Sequence, residues 1–362
     1  MSIQAESREN HPYHMYDAIL SQPDAIERVL LLEAGAVQLL ASAVSAAARV
    51  HVVGIGTSWH AALGGASLLR AVGHRPDARA WNAHEFCTTP PPLTADDLVV
   101  IMSHRGTKRY SAQALAVARQ AGAVTAVITG LGSVLGKEEA DFVVRTAPQE
   151  RSAAFTVSHA TALTALAMLA VEVGGDEAEP LRPALDQLHV LTEWAIASEL
   201  SVRRLAEEAL GVRQVLFAGA GAEVATAYEA ALKVVEASYL PSAGYEAEQF
   251  LHGPFVVLEP ADMVVVLVPQ GSARAQALSI VSAARATGAH TVVLAEEADR
   301  EALASARTPI PLPAVPEPFA LVAYLGPLQL LAYWLAVSRG RNPDLFRLDD
   351  PAHRAARERY SL

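Results

Sequence analysis

Residues Val50 to His60 read VHVVGIGTSWH, and residues Val215 to Glu223 read VLFAGAGAE. Each is a short apolar, β-branched run that breaks at glycines and passes into a segment of helical character. Two further runs follow the first: LVVIMSHRGTK from Leu98 to Lys108, and VTAVIT from Val124 to Thr129. Two follow the second: MVVVLVPQGSAR from Met263 to Arg274, and TVVLAE from Thr291 to Glu296. Strands alternating with helices predict an α/β fold on mainly parallel sheets. The two series also keep register. Gly54 to Gly219 is a step of 165 residues, Gly106 to Gly271 is again 165, and Gly122 to Gly288 is 166. Three landmark glycines at one offset predict two tandem copies of one unit, each a sheet flanked by helices. A helical connection near residues 177–213 joins them.

The expected boundaries are residues 1–30 for an N-terminal tail and the start of the first helix, 31–180 for the first domain, 200–340 for the second and 341–362 for a C-terminal tail. Met1 to about Tyr13 reads as a mobile tail, with Asp24 as the N-cap of the following helix. The run from Ala160 to Val173 is apolar but short for a membrane span and carries Thr161, Thr164 and Glu172, so it reads as a buried helix. No signal peptide is visible, and no membrane association is expected. The 362 residues carry a net charge of −11, which argues against nucleic acid as the main partner but leaves room for a small anion in a local positive field. One cysteine, Cys87, precludes an intrachain disulfide, fits a cytoplasmic location, and reads as a packed residue.

The chemistry divides between the copies. The first has hydroxyls and bases after its strands: Thr57, Ser58, Ser103, His104, Arg105, Thr107 and Lys108. A strand ending in Gly, Thr and Ser ahead of a helix aims backbone N–H groups at a phosphate. An ordinary N-capped turn reads the same way, and both readings stand at this point. The dinucleotide fingerprint fails, because Trp59 and Val224 stand where it needs Gly or Ala. No histidine, cysteine or aspartate cluster has metal spacing.

The second copy has Ala220, Ala222, Pro269 and Gln270 at the matching places, and owns a different set. In EAALKVVE, Glu229, Lys233 and Glu236 stand at i, i+4 and i+7, on one face of a helix that Pro241 is expected to end. His252-Gly253-Pro254 follows. An exposed Glu–Lys bridge is the ordinary reading of such a pair. The alanines, valines and leucines around it favour a cleft in which pKa values are tuned.

These motifs resemble the sugar isomerase (SIS) domain proteins, in particular the isomerase half of the glutamine–fructose-6-phosphate amidotransferases, or glucosamine-6-phosphate synthases. GIGTSWHA from Gly54 is similar to the family's C-G-T-S-x-x-A. SHRGTK from Ser103 stands where the family has S-Q-S-G-E-T. EAALKVVE with the downstream HGP matches E-x-A-L-K-x-x-E and H-G-P at the same spacing, and PLQLLAY from Pro327 matches a helix near the family's C-terminus.

The resemblance implies two tandem SIS domains and a sugar-phosphate substrate without a cofactor. It implies that Thr57, Ser58, Ser103 and their neighbours hold the phosphate and that Glu236 moves the proton between C1 and C2. His252 would assist ring opening from the partner subunit of a homodimer, and Lys233 would supply charge near the enediol oxygen. Four departures accompany it. No glutaminase segment precedes Met1, so glutamine is not expected as an ammonia source. Arg105 and Lys108 replace the family's Ser and Thr. Val157 stands in place of a Lys. The tail from Phe346 lacks the family's terminal Lys, leaving Arg347, His353 or Arg354 as substitutes. A phosphosugar isomerase, with deaminase or deglycase chemistry open to it, is therefore expected. The alternative is a sugar-phosphate sensor without turnover.

Overall fold

The computed structural model describes residues 8–360. It contains two five-stranded sheets, parallel throughout. The first holds β1 (Arg49–Gly54), β2 (Arg79–Asn82), β3 (Asp97–Met102), β4 (Val124–Thr129) and β5 (Phe142–Arg145), in the order β2-β1-β3-β4-β5. The second holds β6 (Val215–Gly219), β7 (Ser242–Glu246), β8 (Met263–Val268), β9 (His290–Glu296) and β10 (Thr308–Leu312), in the order β10-β9-β8-β6-β7. From β7 the second order repeats the first strand for strand, as the glycine register predicts. β3 and β8 are buried at every position, which is why their sequences are unbroken apolar runs rather than alternating ones. Pro309 and Pro311 are tolerated in β10 because it is an edge strand.

The chain forms two compact units. One comprises Gln22–Glu150 and Val157–His189; the other comprises the described residues up to Ser21, Arg151–Thr156, and the described residues from Val190 onward. In the first, the Val157–Gly174 helix packs on the Gln22–Leu32, Ala34–Ala46 and Thr57–Ala71 helices. Gly65 permits close approach, since a Cβ there would lie 2.7 Å from a Leu166 methyl. Two segments, Val157–Glu177 and Glu317–Ser338, are long and apolar enough to cross a membrane by composition, but 78% and 94% of their apolar windows are buried in protein.

Several expectations change. The expected mobile tail falls partly on residues 1–7, which lie outside the described residues. From Arg8 onward the segment is fixed in the second unit. His11 Nδ1 lies 2.7 Å from the Tyr333 hydroxyl, and the His14 and Met15 amides donate to the Asp344 carboxylate at 2.8 and 2.9 Å. The expected C-terminal tail thereby supplies the N-terminus with its acceptor. A helix already spans His14–Leu20, and the next starts at Gln22, so Asp24 lies in its first turn rather than at its cap. The helix expected to run to Pro241 stops at Ser238, because Tyr239 turns left-handed at φ 60°.

One duplicated feature escaped the sequence reading. Arg49 grips Asp97 with Nε and Nη2 at 2.7 and 2.6 Å, and Arg213 grips Asp262 with the same atoms at 2.8 and 2.6 Å. Each pair ties the amino ends of the first and third strands of its sheet.

Candidate active site

In both sheets the chain leaves the first strand toward one edge and re-enters at its other side. This makes a switch point where the loops after those two strands diverge and ligands gather. Gly54 ends β1 and Gly219 ends β6. A Cβ on either would overlap the carbonyl oxygen four residues on, at Ser58 or Glu223, because the next helix seats its first turn on the strand end. Gly56 and Gly221 then both take φ 59°, which glycine adopts without strain.

In the first unit Thr57 and Ser58 open the Thr57–Ala71 helix, both half-buried. Ser103 follows β3, 4% exposed, and its Oγ has no hydrogen-bond partner among the described residues. Gly106, at φ 73°, turns the loop beyond it. Arg105 is exposed, and its Nη2 donates to the Glu150 carbonyl at 3.0 Å. Thr107 is exposed and Lys108 half-buried at the N-terminus of the Arg109–Gln120 helix. His104 differs in kind. Its ring packs against Gly130 and faces the Glu150 amide, and burial, with Arg105 adding to it, pushes its pKa down to about 4. It is neutral at physiological pH and brings no charge to an anion. Sequence reasoning missed Glu150, whose Oε1 accepts from the Ser158 amide at 2.8 Å and anchors the start of the Val157–Gly174 helix.

In the second unit the Glu223–Ser238 helix carries the acid–base set. Gly244 of β7 lets it approach, since a Cβ there would lie 2.5 Å from the Ala227 carbonyl oxygen. Lys233 and Glu229 are fully buried, with Lys233 Nζ 3.3 Å from Glu229 Oε1. Lys233 also donates to Glu236 Oε2. The Glu236 side chain alone retains access, 18% exposed. Burial works against the Lys233 charge, but the two carboxylates outweigh it and hold its pKa above the ordinary lysine value. The surface-bridge reading is thus overturned by burial.

His252 lies apart from this cluster. Its side chain is 69% exposed, with Nε2 3.0 Å from Glu248 Oε1 at the end of the Ala247–Leu251 helix. Of the tail candidates, Arg347 is the one that returns. Its amide donates to the Tyr239 hydroxyl at 2.7 Å, and its guanidinium stands 5.4 Å from that ring, three residues past Glu236. His353 pairs with Asp350, and Arg354 donates to the Leu348 carbonyl, so both serve the Pro351–Arg357 helix.

A model of the SIS domain matches residues 44–172 and 211–339. The chain belongs to the SIS domain family. Among curated relatives, the glutamine–fructose-6-phosphate aminotransferase (isomerizing) of Thermococcus kodakarensis is 32% identical over 354 residues, covering 95% of this chain and 58% of the relative. An enzyme of the same name from Thermus thermophilus is 32% identical over 357 residues, covering 95% and 59%. The chain therefore spans under two thirds of the length of these relatives. Three solved structures show the same fold. They are the C-terminal domain of glucosamine-fructose-6-phosphate aminotransferase from Francisella tularensis (TM-score 0.85, 21% identity, 92% of this chain and 98% of that one), glucosamine-6-phosphate deaminase from Thermotoga maritima (0.76, 21%, 92% and 97%) and tagatose-6-phosphate ketose/aldose isomerase from Escherichia coli (0.76, 20%, 95% and 97%). The two SIS regions each contain one sheet.

Proposed function

We propose that this SIS protein interconverts the aldose and ketose forms of a hexose or amino-sugar phosphate. The observation that carries the reading is the buried Glu229–Lys233–Glu236 cluster with a single carboxylate open to solvent. Glu236, ion-paired with Lys233, takes the proton from C1 of the open-chain ketose. The C–H electron pair becomes the C1–C2 double bond of an enediol, with negative charge developing on O2. The O1 hydroxyl proton passes to O2, and returning the carbon-bound proton to C2 leaves the carbonyl at C1. Lys233 positions the base. Thr57, Ser58, Ser103 and Thr107 take the phosphate by hydrogen bonds, and Arg105 and Lys108 add charge. Where the substrate is an aldose carrying an amine at C2, the same shift run from C2 to C1 gives a C2 imine, and addition of water to it releases ammonia and leaves the ketose.

His252 acts in the site of a second copy of the chain. Its exposure supports this, as do Val256 and Val257 close by, 82% and 48% exposed. Mixing Glu236→Gln and His252→Ala proteins would then restore activity through hybrid sites, whereas no recovery after verified subunit exchange would sink the shared site.

The direct test follows fructose 6-phosphate, glucosamine 6-phosphate and related esters by aldose–ketose exchange and ammonia release, with Glu236→Gln as control. Saturable binding without turnover, unaffected by Glu236→Gln, would replace this reading with the sugar-phosphate sensor.

A further inference from the structure

The internal repeat sets an acid where the first unit has a hydroxyl. Ser58 and Glu223 are 165 residues apart, each on the first turn of the helix that leaves the switch point and each beneath the glycine ending the strand. Glu223 is 1% exposed, and neither carboxyl oxygen has a hydrogen-bond partner among the described residues. Tyr324 is fully buried, its hydroxyl is likewise without one, and after burial the charge on Glu223 acts on it most strongly. A third group comes from the Glu317–Ala323 helix. The Glu317 carboxyl fills the space that a Cβ on Gly271, after β8, would need, and it lies 3.7 Å from the corresponding point on Gly221, after β6. Two carboxyls, and a buried phenol that feels the Glu223 charge, therefore gather around the second switch point, where the first has hydroxyls and cations.

Phosphate is the wrong ligand for such a lining. An anion would meet Glu317 and a buried acid with no counter-charge. Oxygen acceptors grouped together suit N–H donors carrying positive charge. The described residues contain no group of three His, Cys, Asp or Glu able to hold a metal ion. We propose that the second switch point binds an ammonium group, as the free ion or as the head of a primary amine, held by Glu223, Glu317 and the Tyr324 hydroxyl. This does not rest on the isomerase reading, because none of the three takes part in that chemistry.

Proton linkage gives the site a signature. Burial pushes the Glu223 pKa up to about 8. The Thr226 hydroxyl opposes this without a hydrogen bond of ordinary geometry, and Glu317 reinforces it. The other charges acting on this cluster are Glu296 and Asp299, which act on Tyr324; Asp299 is itself paired with Arg274 at 2.6 Å. A cation beside Glu223 ionises it, so binding below pH 8 releases a proton to the buffer.

The experiment titrates the full chain with ammonium, methylammonium, potassium and tetramethylammonium chlorides at equal ionic strength, reading Tm. Calorimetry at pH 7 in two buffers of different ionisation enthalpy reads the proton. Ammonium at about ten times its Kd is expected to raise Tm by roughly 2–4 °C and release a proton, with no shift from tetramethylammonium. Methylammonium matching ammonium assigns an amine head; ammonium acting alone assigns the free ion. Both effects should disappear in Glu223→Gln and in Glu317→Gln, and the latter, being half-exposed, carries the test if the former does not fold. Equal shifts from potassium or tetramethylammonium, or an ammonium shift that survives both substitutions, overturns the proposal.

Discussion

Two switch points built on one plan ended with opposite chemistry. After β1 and β3 the loops present Thr57, Ser58 and Ser103, with Arg105 and Lys108 beyond; after β6 and β8 they present Ala222, Glu223 and Gly271, with Glu317 folded over them. The backbone hardly differs: both first strands end in a glycine pressed on a helix, and both turns use a glycine at φ 59°. The backbone plan is shared, and the side chains set around it differ in charge. The second unit's acid–base set is placed differently again. It lies along the body of the Glu223–Ser238 helix, where full burial of Lys233 and Glu229 leaves Glu236 as the accessible group.

The largest effect that sharpens this division is on turnover. Glu236→Gln should lower kcat by about a hundred- to ten-thousandfold with little change in KM, whereas Ser103→Ala should act mainly through KM. Steady-state assays with the sugar phosphate that turns over would show it, and a Glu236→Gln enzyme of full activity would break the division. Next comes Lys233→Met. It strands two carboxylates, one of them fully buried, and should cost about 3–5 kcal/mol in urea unfolding, part of which Glu229→Gln should restore.

A smaller pair of changes tests the shared plan. Gly54→Ala and Gly219→Ala should each destabilise by about 1–3 kcal/mol, because the added methyl meets backbone that cannot give way. A marked inequality between them would show that the two strand ends are not equivalent. The smallest effect is confined to acid. Asp97 and Asp262 both have pKa values below the usual 3.8: the Arg49 hydrogen bond leads for Asp97, and for Asp262 burial is the largest single influence and raises it, but the Arg213, Glu259 backbone and Gln214 hydrogen bonds together outweigh it. A depressed carboxylate stabilises the fold above its unfolded pKa and loses that contribution as pH falls through the folded value. Thermal unfolding should therefore weaken below about pH 3.8, and Asp97→Asn and Asp262→Asn should flatten that fall to similar degrees.

The cores of both sheets were legible as apolar runs, and the repeat as glycine spacing, because close backbone approach leaves glycine as the residue that fits. The Glu229–Lys233–Glu236 face was legible from helical periodicity. His104 was not. Its neighbours in sequence are loop hydroxyls and cations, while its ring is enclosed by Gly130 and the Glu150 amide, residues distant in the chain. The ends were misread for the same reason: polar residues such as His11 and His14 resemble a tail until Tyr333 and Asp344 supply their partners. Glu223 was within reach, since the 165-residue step places it on Ser58, but its missing partners were not.

The sequence by itself determined the parallel α/β class, the duplication and the residues that share the Glu229–Lys233–Glu236 face. These depend on local periodicity and on steric demands that few residue types satisfy. Only the tertiary structure decided which charges are buried, which of the acids on the Glu223–Ser238 helix stays accessible, and which buried acid is left without a partner among the described residues. Ionisation depends on the solvent and charges around a group, and those are brought there by parts of the chain far away in sequence.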